Sequence, residues 1–555
     1  MKRIVSLFIL VCVANLVKAT VYYVKPNTES TAWKDKNAEQ VYTDIKSAYG
    51  AAGVGDQVWV AAGTYTIKNE DLEAGVYLTM KAGTSLYGGF AGTENALEDR
   101  MKIEGGQAWD FVNQTIVSVD AAATASNITN QKTQFTTETI IDGITFEKSK
   151  GSAVTVRSGG IVQNCTFREN VSTWGGGGVQ MYMGGKVQYC YFFNNSSSAS
   201  CRNGGAGLYL STTSYDYLCY VDHCVFDSNR GLKWGSIGGV LRANAGGVIT
   251  NCVFYNNIAG SATDGYGKGS AIIANYSSNT FVNCLVYNNT GYPIYTDRGA
   301  MFINMTICNN LTGEKGSYSV FFDADGGGTL ANSVVWNNMT TDGKAYMYTK
   351  AGSTVSYFDC VASNRGVEDI KTDSENSDWS FYPVYQISDD NIGEEEVNYA
   401  KFIKPTSFIG AVSLTETDAL AEIRSADWKM DATSFLINKG NSYYDALVEF
   451  DSDLSGKKRA MTDDDPIDLG VYEVDPVIDG VIPVQTVSDG KEIYASSGIL
   501  YINAENSDVK VFDITGKCVK SFRTGGFSES VVLEKGCYVV KVERKGRLIT
   551  KKIIL

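Results

Sequence analysis

From about residue 160 to 365, apolar and polar positions follow one short recurring pattern. Asn164-Cys165-Thr166-Phe167-Arg168-Glu169-Asn170 is echoed by Tyr189-Cys190-Tyr191-Phe192-Phe193-Asn194-Asn195. His223-Cys224-Val225-Phe226 closes on Asn229, Asn251-Cys252-Val253-Phe254 on Asn257, and Asn283-Cys284-Leu285-Val286 on Asn289. Weaker copies start at Asn304, Asn332 and Asp359, and Asp142-Gly143-Ile144-Thr145-Phe146 is a relative without cysteine. The Cys and Phe positions stand two apart, so on a strand they share one face. The closing Asn falls at a turn, where its amide can bond nearby backbone or the Asn one repeat away. Glycine-rich pieces with apolar tails, such as Gly175-Gly176-Gly177-Gly178-Val179 and Gly204-Gly205-Ala206-Gly207-Leu208, lie between the copies.

Counted from Cys165, successive copies are 25, 34, 28, 32, 21, 28 and 27 residues apart. Irregular spacing above a minimum in the low twenties fits a coil of fixed circumference with loops inserted into some turns. Each unit supplies two or three short strands separated by tight corners. Stacked, they predict a right-handed parallel β-helix, an all-β solenoid. Cys165, Cys190, Cys224, Cys252 and Cys284 should then form an inward ladder beside Phe167, Phe192, Phe226 and Phe254. Asn170, Asn195, Asn229, Asn257 and Asn289 should form a second ladder at one corner.

Composition narrows the chemistry. Among 555 residues there is one histidine, His223, and it fills the slot held elsewhere by Asn164, Asn251, Asn283 and Asn304. It reads as a stacked polar substitute, which leaves imidazole-centred triads and zinc sites without their residue. Positions 1–19 read as a secretory signal peptide: Lys2 and Arg3, an apolar stretch from Ile4 to Val17, then Val17-Lys18-Ala19 for cleavage. No later stretch is apolar enough for a transmembrane span. The formal net charge is -14, and losing those 19 residues, with three positive charges, makes it -17. An acidic exported chain argues against nucleic acid as partner, since phosphate binding needs a basic surface.

The Gly-Gly-small-Ile/Val and Phe-x-x-Asn alternation resembles the repeats of the polymorphic outer-membrane-protein adhesins. More broadly it resembles the pectin-lyase-like β-helix superfamily. Gly55-Asp56-Gln57-Val58-Trp59-Val60-Ala61-Ala62-Gly63-Thr64-Tyr65 is similar to the entry coil of that superfamily, with Val21–Val24 as a first strand and 41–49 as a capping helix. Leu86-Tyr87-Gly88-Gly89-Phe90-Ala91-Gly92-Thr93-Glu94 looks like a segment common in secreted Gram-negative β-helix proteins. Ala426-Asp427-Trp428, Ile437-Asn438-Lys439-Gly440 and Asp468-Leu469-Gly470-Val471-Tyr472-Glu473 resemble their closing segment. The resemblance implies a β-helix with N- and C-terminal caps over residues 20–475.

Beyond Asp475-Pro476 the character changes. Residues 476–488 read as a linker, and alternating strands follow in 489–555. Residues 507–555 hold 11 Lys+Arg against 5 Asp+Glu, so this end carries +6 and the rest of the exported chain -23. Val511-Phe512-Asp513-Ile514-Thr515-Gly516-Lys517, Gly536-Cys537-Tyr538-Val539-Val540 and Lys551-Lys552-Ile553-Ile554-Leu555 resemble the type IX secretion system sorting domain. That resemblance implies a small Ig-like β-sandwich, engagement of the outer-membrane secretion machinery through 489–555, and display at the surface of a Gram-negative bacterium.

The remaining question is chemistry. The ladder cysteines sit at one inward position and show no Cys-x-x-Cys pairing, so they read as core thiols. Cys201 and Cys219, sharing one inserted loop, are the best candidates for a disulfide. β-Helix hydrolases use a Gly-His-Gly segment, absent here. β-Helix lyases use calcium held by carboxylates beside an Arg or Lys base. Arg242, Lys268 and Asp297-Arg298 are isolated candidates for such a base, and Asp323 and Asp325 for calcium, although an acidic glycine-rich hairpin is the alternative. Asp451-Ser452-Asp453 and Asp463-Asp464-Asp465 read as solvated loops. Trp174, Tyr209, Trp234, Tyr266 and Tyr295 lie in or near inserted segments and could stack on sugar rings. The expected function is a surface-displayed, non-catalytic protein that binds a polysaccharide or cell-surface glycan, with no catalytic residue and no cofactor beyond possible calcium. A polysaccharide lyase acting on acidic glycans and a purely structural surface protein are the alternatives.

Overall fold

A computed structural model describes residues 19–338 and 400–474 apart from a number of loops, the backbone of strands between 339 and 386, and the strands from 493 to 554. Two units emerge, 1–475 and 476–555.

In the first unit three long parallel sheets of 14, 12 and 11 strands run the length of a solenoid, with a short five-stranded sheet at one corner. One coil shows the plan. Ile161–Gln163 belongs to the first face, Thr166–Arg168 to the second, Val171–Ser172 to the corner sheet and Val179–Tyr182 to the third. Strands pair with the equivalent strand of the next coil, so Phe167, Phe192, Phe226 and Phe254 stand in register. Their rings stack inside the coil at 5.0, 4.6 and 4.7 Å between centroids. The five ladder thiols are fully buried beside them, each donating to the carbonyl two residues earlier at 3.1–3.5 Å. Cys201 and Cys219 do not form the expected disulfide. Both are buried free thiols, with Cys201 against Ser172 Oγ at 3.4 Å and Cys219 in the solenoid core.

The asparagine ladder does more than fill a turn. Asn195 Oδ1 accepts from both the backbone N and the Nδ2 of Asn170, each at 3.0 Å. The same double bond links Asn229 to Asn195, Asn257 to Asn229 and Asn289 to Asn257, and two further rungs add Asn310 and Asn338. Each Nδ2 also donates to a carbonyl one coil back, such as Phe167 O or Phe192 O. A fully buried amide side chain thereby leaves no polar atom unpaired, the condition for burying it at all.

Corners also set backbone conformation. Asn164, Tyr189, His223, Asn251, Asn283, Asn304 and Asn332 all have positive φ, between 48° and 55°. Asn tolerates this left-handed region better than other side chains, which explains its dominance there. His223 does fill the slot: its ring stacks on Tyr189 at 4.8 Å, and Nδ1 lies 2.9 Å from Asp222 Oδ2. Gly176 turns at φ +67°, and a Cβ there would meet Val179 O at 2.0 Å, so only glycine fits.

At the N-terminal end, helix α1 spans Ile45–Ala51 and follows a short strand, Val41–Tyr42, that sequence patterning had merged into the helix. Asp44 caps it by accepting from Ser47 N, and Ile45, Ala48 and Tyr49 bury against the first coils.

The closing segment, whose motifs run from Ala426 to Glu473, was expected to cap the far end of residues 20–475, and it belongs to the stretch 400–474. The described part instead lies along the outside of the second face as a strap. It contains a strand pair, Phe402–Lys404 with Asp427–Met430, and helix α2, Thr417–Arg424. Its apolar residues Phe402, Ile423, Trp428 and Leu469 pack with outward residues of the face, Tyr287, Cys308 and Trp336. Corner asparagines hold it: Asn283 Nδ2 donates to Ser452 O at 2.6 Å, Asn288 Nδ2 to Phe408 O at 3.0 Å, and Asn332 Nδ2 to Asn441 O at 2.9 Å. Arg459, with a fully buried side chain, pairs with Glu473 at 2.8 Å and reaches Asn283. Asp453 is buried, accepting from the backbone of Lys457 and Glu473, so it is not a solvated loop residue. Asp451 and 463–465 lie outside the described residues.

The second unit comprises two antiparallel sheets. Ile493–Ser496, Ile499–Ile502 and Glu529–Val532 form one; Cys518–Arg523, Asp508–Asp513, Cys537–Arg544 and Arg547–Ile554 form the other. Leu500, Ile502, Val509, Val511, Val531, Val540 and Val542 share a core between them.

Candidate functional site

On the second face, strand residues alternate inward and outward, so the residues flanking each ladder Phe point away from the solenoid core. Register places Glu147, Arg168, Phe193, Asp227 and Tyr255 in one outward column, with Thr166, Tyr191 and Val225 in its neighbour. From Tyr255 onward the strap covers this face. Where helix α2 ends, a groove of about 550 Å³ opens between the strap and the solenoid, lined by Phe193, Leu414, Thr417, Leu420, Ala421, Arg424 and Ser425.

The groove has an aromatic side and a charged side. Trp109, from the loop preceding the second face, stacks on Tyr191 with centroids 5.4 Å apart and planes within 8°. Tyr191 and Phe193 lie 5.9 Å apart and nearly parallel. The Arg424 guanidinium sits over the Phe193 ring at 5.3 Å. It also pairs with Asp227, Nη2 to Oδ2 at 2.7 Å and Nε to Oδ2 at 2.9 Å. Asp227 is fully buried and takes two further donors, the Tyr191 hydroxyl and the Ser228 hydroxyl, each at 2.5 Å. Burial, followed by the Asp227 charge, pushes the Tyr191 phenol well up, so it stays protonated and keeps donating. Beside Phe193, Arg168 pairs with Glu147 at 2.6 Å. Burial works against the Glu147 charge, but hydrogen bonds from Ser118 and Arg168 win and hold its carboxyl below the usual range.

Both carboxylates are therefore committed to arginines, whose side chains are partly exposed, 39% for Arg424 and 35% for Arg168. Asp227 is fully buried behind Arg424, so its carboxylate is not presented to a substrate. What the groove presents is Phe193, with the Tyr191 and Trp109 stack beside it, and the Arg424 guanidinium, the apparatus of recognition.

The residues expected from sequence to bind a ligand are scattered. Trp174 is half-exposed on the loop between second and third faces. Tyr209 and Tyr295 share an outward column of the third face with Arg242 and Asp323, but only 6% and 8% of their surfaces are exposed. Gly175 of an adjoining loop lies against the Tyr209 ring, so as ring platforms both positions are corrected to covered residues. Tyr266 belongs to a two-residue strand paired antiparallel with Ile258–Ser261. Its side chain, that of Asp323, and the whole of Trp234 and Asp325 lie outside the described residues. Of the candidate bases, Arg242 donates to Asn203 O at 2.7 Å and Arg298 stacks over Tyr276. Among the described residues, no three Cys, His, Asp or Glu side chains gather as a metal site. Trp109, Tyr191, Phe193 and Arg424 escaped sequence reading. One signal was present: Tyr191 and Phe193 are aromatic where neighbouring copies of the repeat have Thr166 and Arg168, or Val225 and Asp227.

Compared with known proteins, residues 200–359 match the family described as right handed beta helix region, and 495–555 match the secretion system C-terminal sorting domain. No curated protein matches the chain. Among solved structures, the pectate lyase Pel9A aligns at 13% identity over 82% of this chain and 96% of its own, with a TM-score of 0.39. A rhamnogalacturonan lyase aligns at 12% identity over 63% of this chain and 75% of its own, with a TM-score of 0.24. Neither alignment bears on activity.

Proposed function

We propose that this right-handed β-helix protein, exported to the cell surface by its type IX sorting domain, binds a polysaccharide or cell-surface glycan there and has no catalytic centre. The observation that supports this reading is the groove at the open edge of the strap. Phe193 lines it, backed by the stacked pair Tyr191 and Trp109, and supplies an apolar contact for sugars, while Arg424 offers N–H groups to hydroxyls with Arg168 close by. The carboxylates that a hydrolase or lyase would employ are instead used to fix those guanidiniums. No helix among the described residues is long and apolar enough to cross a membrane, and attachment is assigned to the sorting domain.

The test is a glycan array probed with the full chain, followed by incubation of every bound polysaccharide with the protein. Binding without product is expected, with Phe193→Ala weakening it about tenfold or more, as loss of a central aromatic contact does. New reducing ends or ultraviolet-absorbing unsaturated products would establish the lyase alternative instead. An array without any bound glycan would leave the structural-protein alternative.

A further inference from the structure

The groove does not stand alone in its aromatic character. Tyr189, Tyr217 and Tyr220 are the exposed tyrosines nearest to it, at 38%, 39% and 43%. Tyr220 points outward from the first face, between Lys186 and Val248 on neighbouring coils. Tyr217 lies just before that strand, beside Gly184. Tyr189 and His223 stack on each other at the corner joining the first face to the second. One strand step further along the same coil come Tyr191, with Trp109 on it, and then Phe193.

Apart from Trp109, which reaches over from an earlier loop, these rings belong to two adjacent coils, which lie about 4.8 Å apart. At the matching outward positions, the coil before carries Ile161, Gln163, Thr166 and Arg168, and the coil after carries Val248, Thr250, Val253 and Tyr255, the last of these packed under the strap. Along the axis the aromatic column continues as Tyr255 and Tyr287 under the strap, so the uncovered aromatics form a belt running across the solenoid, along the strand direction. Within the belt, Lys186 lies opposite Tyr220 on the coil before, Asp222 accepts from Thr250 and Asn251, and Asp227 holds Arg424. Around it, residues 20–475 carry -20, a charge that repels polyanions over roughly a Debye length.

We propose that the belt from Tyr217 and Tyr220, over Tyr189 and His223, to Tyr191 and Phe193 is one continuous binding surface for a neutral, extended polysaccharide, which crosses the solenoid at right angles to its axis. This rests on the glycan-binding reading of the groove and adds a second half to it. The groove takes a few sugar units, and the first-face tyrosines take the continuation of the chain.

The experiment uses the full chain with xylan, mannan and β-glucan, each as polymer and as trisaccharide, and polygalacturonate for comparison. The Tyr220→Ala and Phe193→Ala variants are measured by titration calorimetry, with circular dichroism to check folding and Tyr220→Phe as the conservative variant. The expected result is that a neutral polymer binds and polygalacturonate does not. Phe193→Ala should weaken polymer and trisaccharide alike, by about tenfold or more. Tyr220→Ala should weaken the polymer about tenfold and leave the trisaccharide unchanged, while Tyr220→Phe retains polymer binding. Unchanged polymer affinity in Tyr220→Ala alongside a loss in Phe193→Ala would overturn the belt and leave the groove standing. No loss in Phe193→Ala, or no binding to any probe, would remove the groove reading and the belt with it. Preference for polygalacturonate would overturn the neutral class.

Discussion

Each buried asparagine of the corner ladder is a junction. Asn229 Oδ1 accepts from the backbone and the side chain of Asn195, and its Nδ2 donates to Phe192 O and Asn257 Oδ1. Truncation to alanine orphans several buried donors and acceptors together, each costing about 1–3 kcal/mol. Asn229→Ala should therefore lower stability by about 3 kcal/mol or more, read as a fall in the urea midpoint of the solenoid. His223 behaves differently although it belongs to the same repeat. Its site demands a positive φ and a ring that stacks on Tyr189, not a buried amide. Both roles were readable from slot position, because the repeat compares each residue with its counterparts one coil away.

The strap was read as an end cap, and its real position follows from its partners. Asn283 and Ser452 are 169 residues apart in sequence, and Arg424 and Asp227 are 197 apart. Nothing in local patterning reports such pairings. The strap is pinned by a buried ion pair, Arg459 with Glu473, whose side chains are 0% and 8% exposed. Breaking a buried pair from one side typically costs about 3–5 kcal/mol, since the remaining charge is stranded. Arg459→Ala should therefore make residues 400–474 sensitive to limited proteolysis while the coils upstream of Asp227 stay resistant. Because the strap carries Arg424 and one wall of the groove, glycan affinity should fall in the same variant. Proteolytic resistance equal to that of the unaltered chain would contradict the assigned role of the pair.

At the scale of the whole molecule, display and the proposed recognition fall to different units. The second unit, with its match to a secretion system sorting domain over 495–555, is a separate core of two antiparallel sheets. A chain truncated at residue 488 should retain the solenoid's circular dichroism and yet fail to reach the cell surface, as scored by surface labelling against a periplasmic marker. Undiminished display of the truncated chain would remove the sorting role. The segment read as a signal peptide, residues 1–19, lies almost wholly outside the described residues.

By itself the sequence determined the coil. Residues two apart share a strand face, and copies stacked in register place like on like, so the Cys, Phe and Asn ladders, the glycine corners and the change of character near residue 476 were all legible locally. Which outward residues face solvent was decided only by tertiary structure. Tyr209 and Tyr295 point outward by register yet are covered, Tyr287 and Trp336 are roofed by the strap, and Phe193 lines the groove at its edge. Alternation along a strand fixes the direction of a side chain, but exposure depends on segments far away in the chain. The candidate site lies where that distant cover stops.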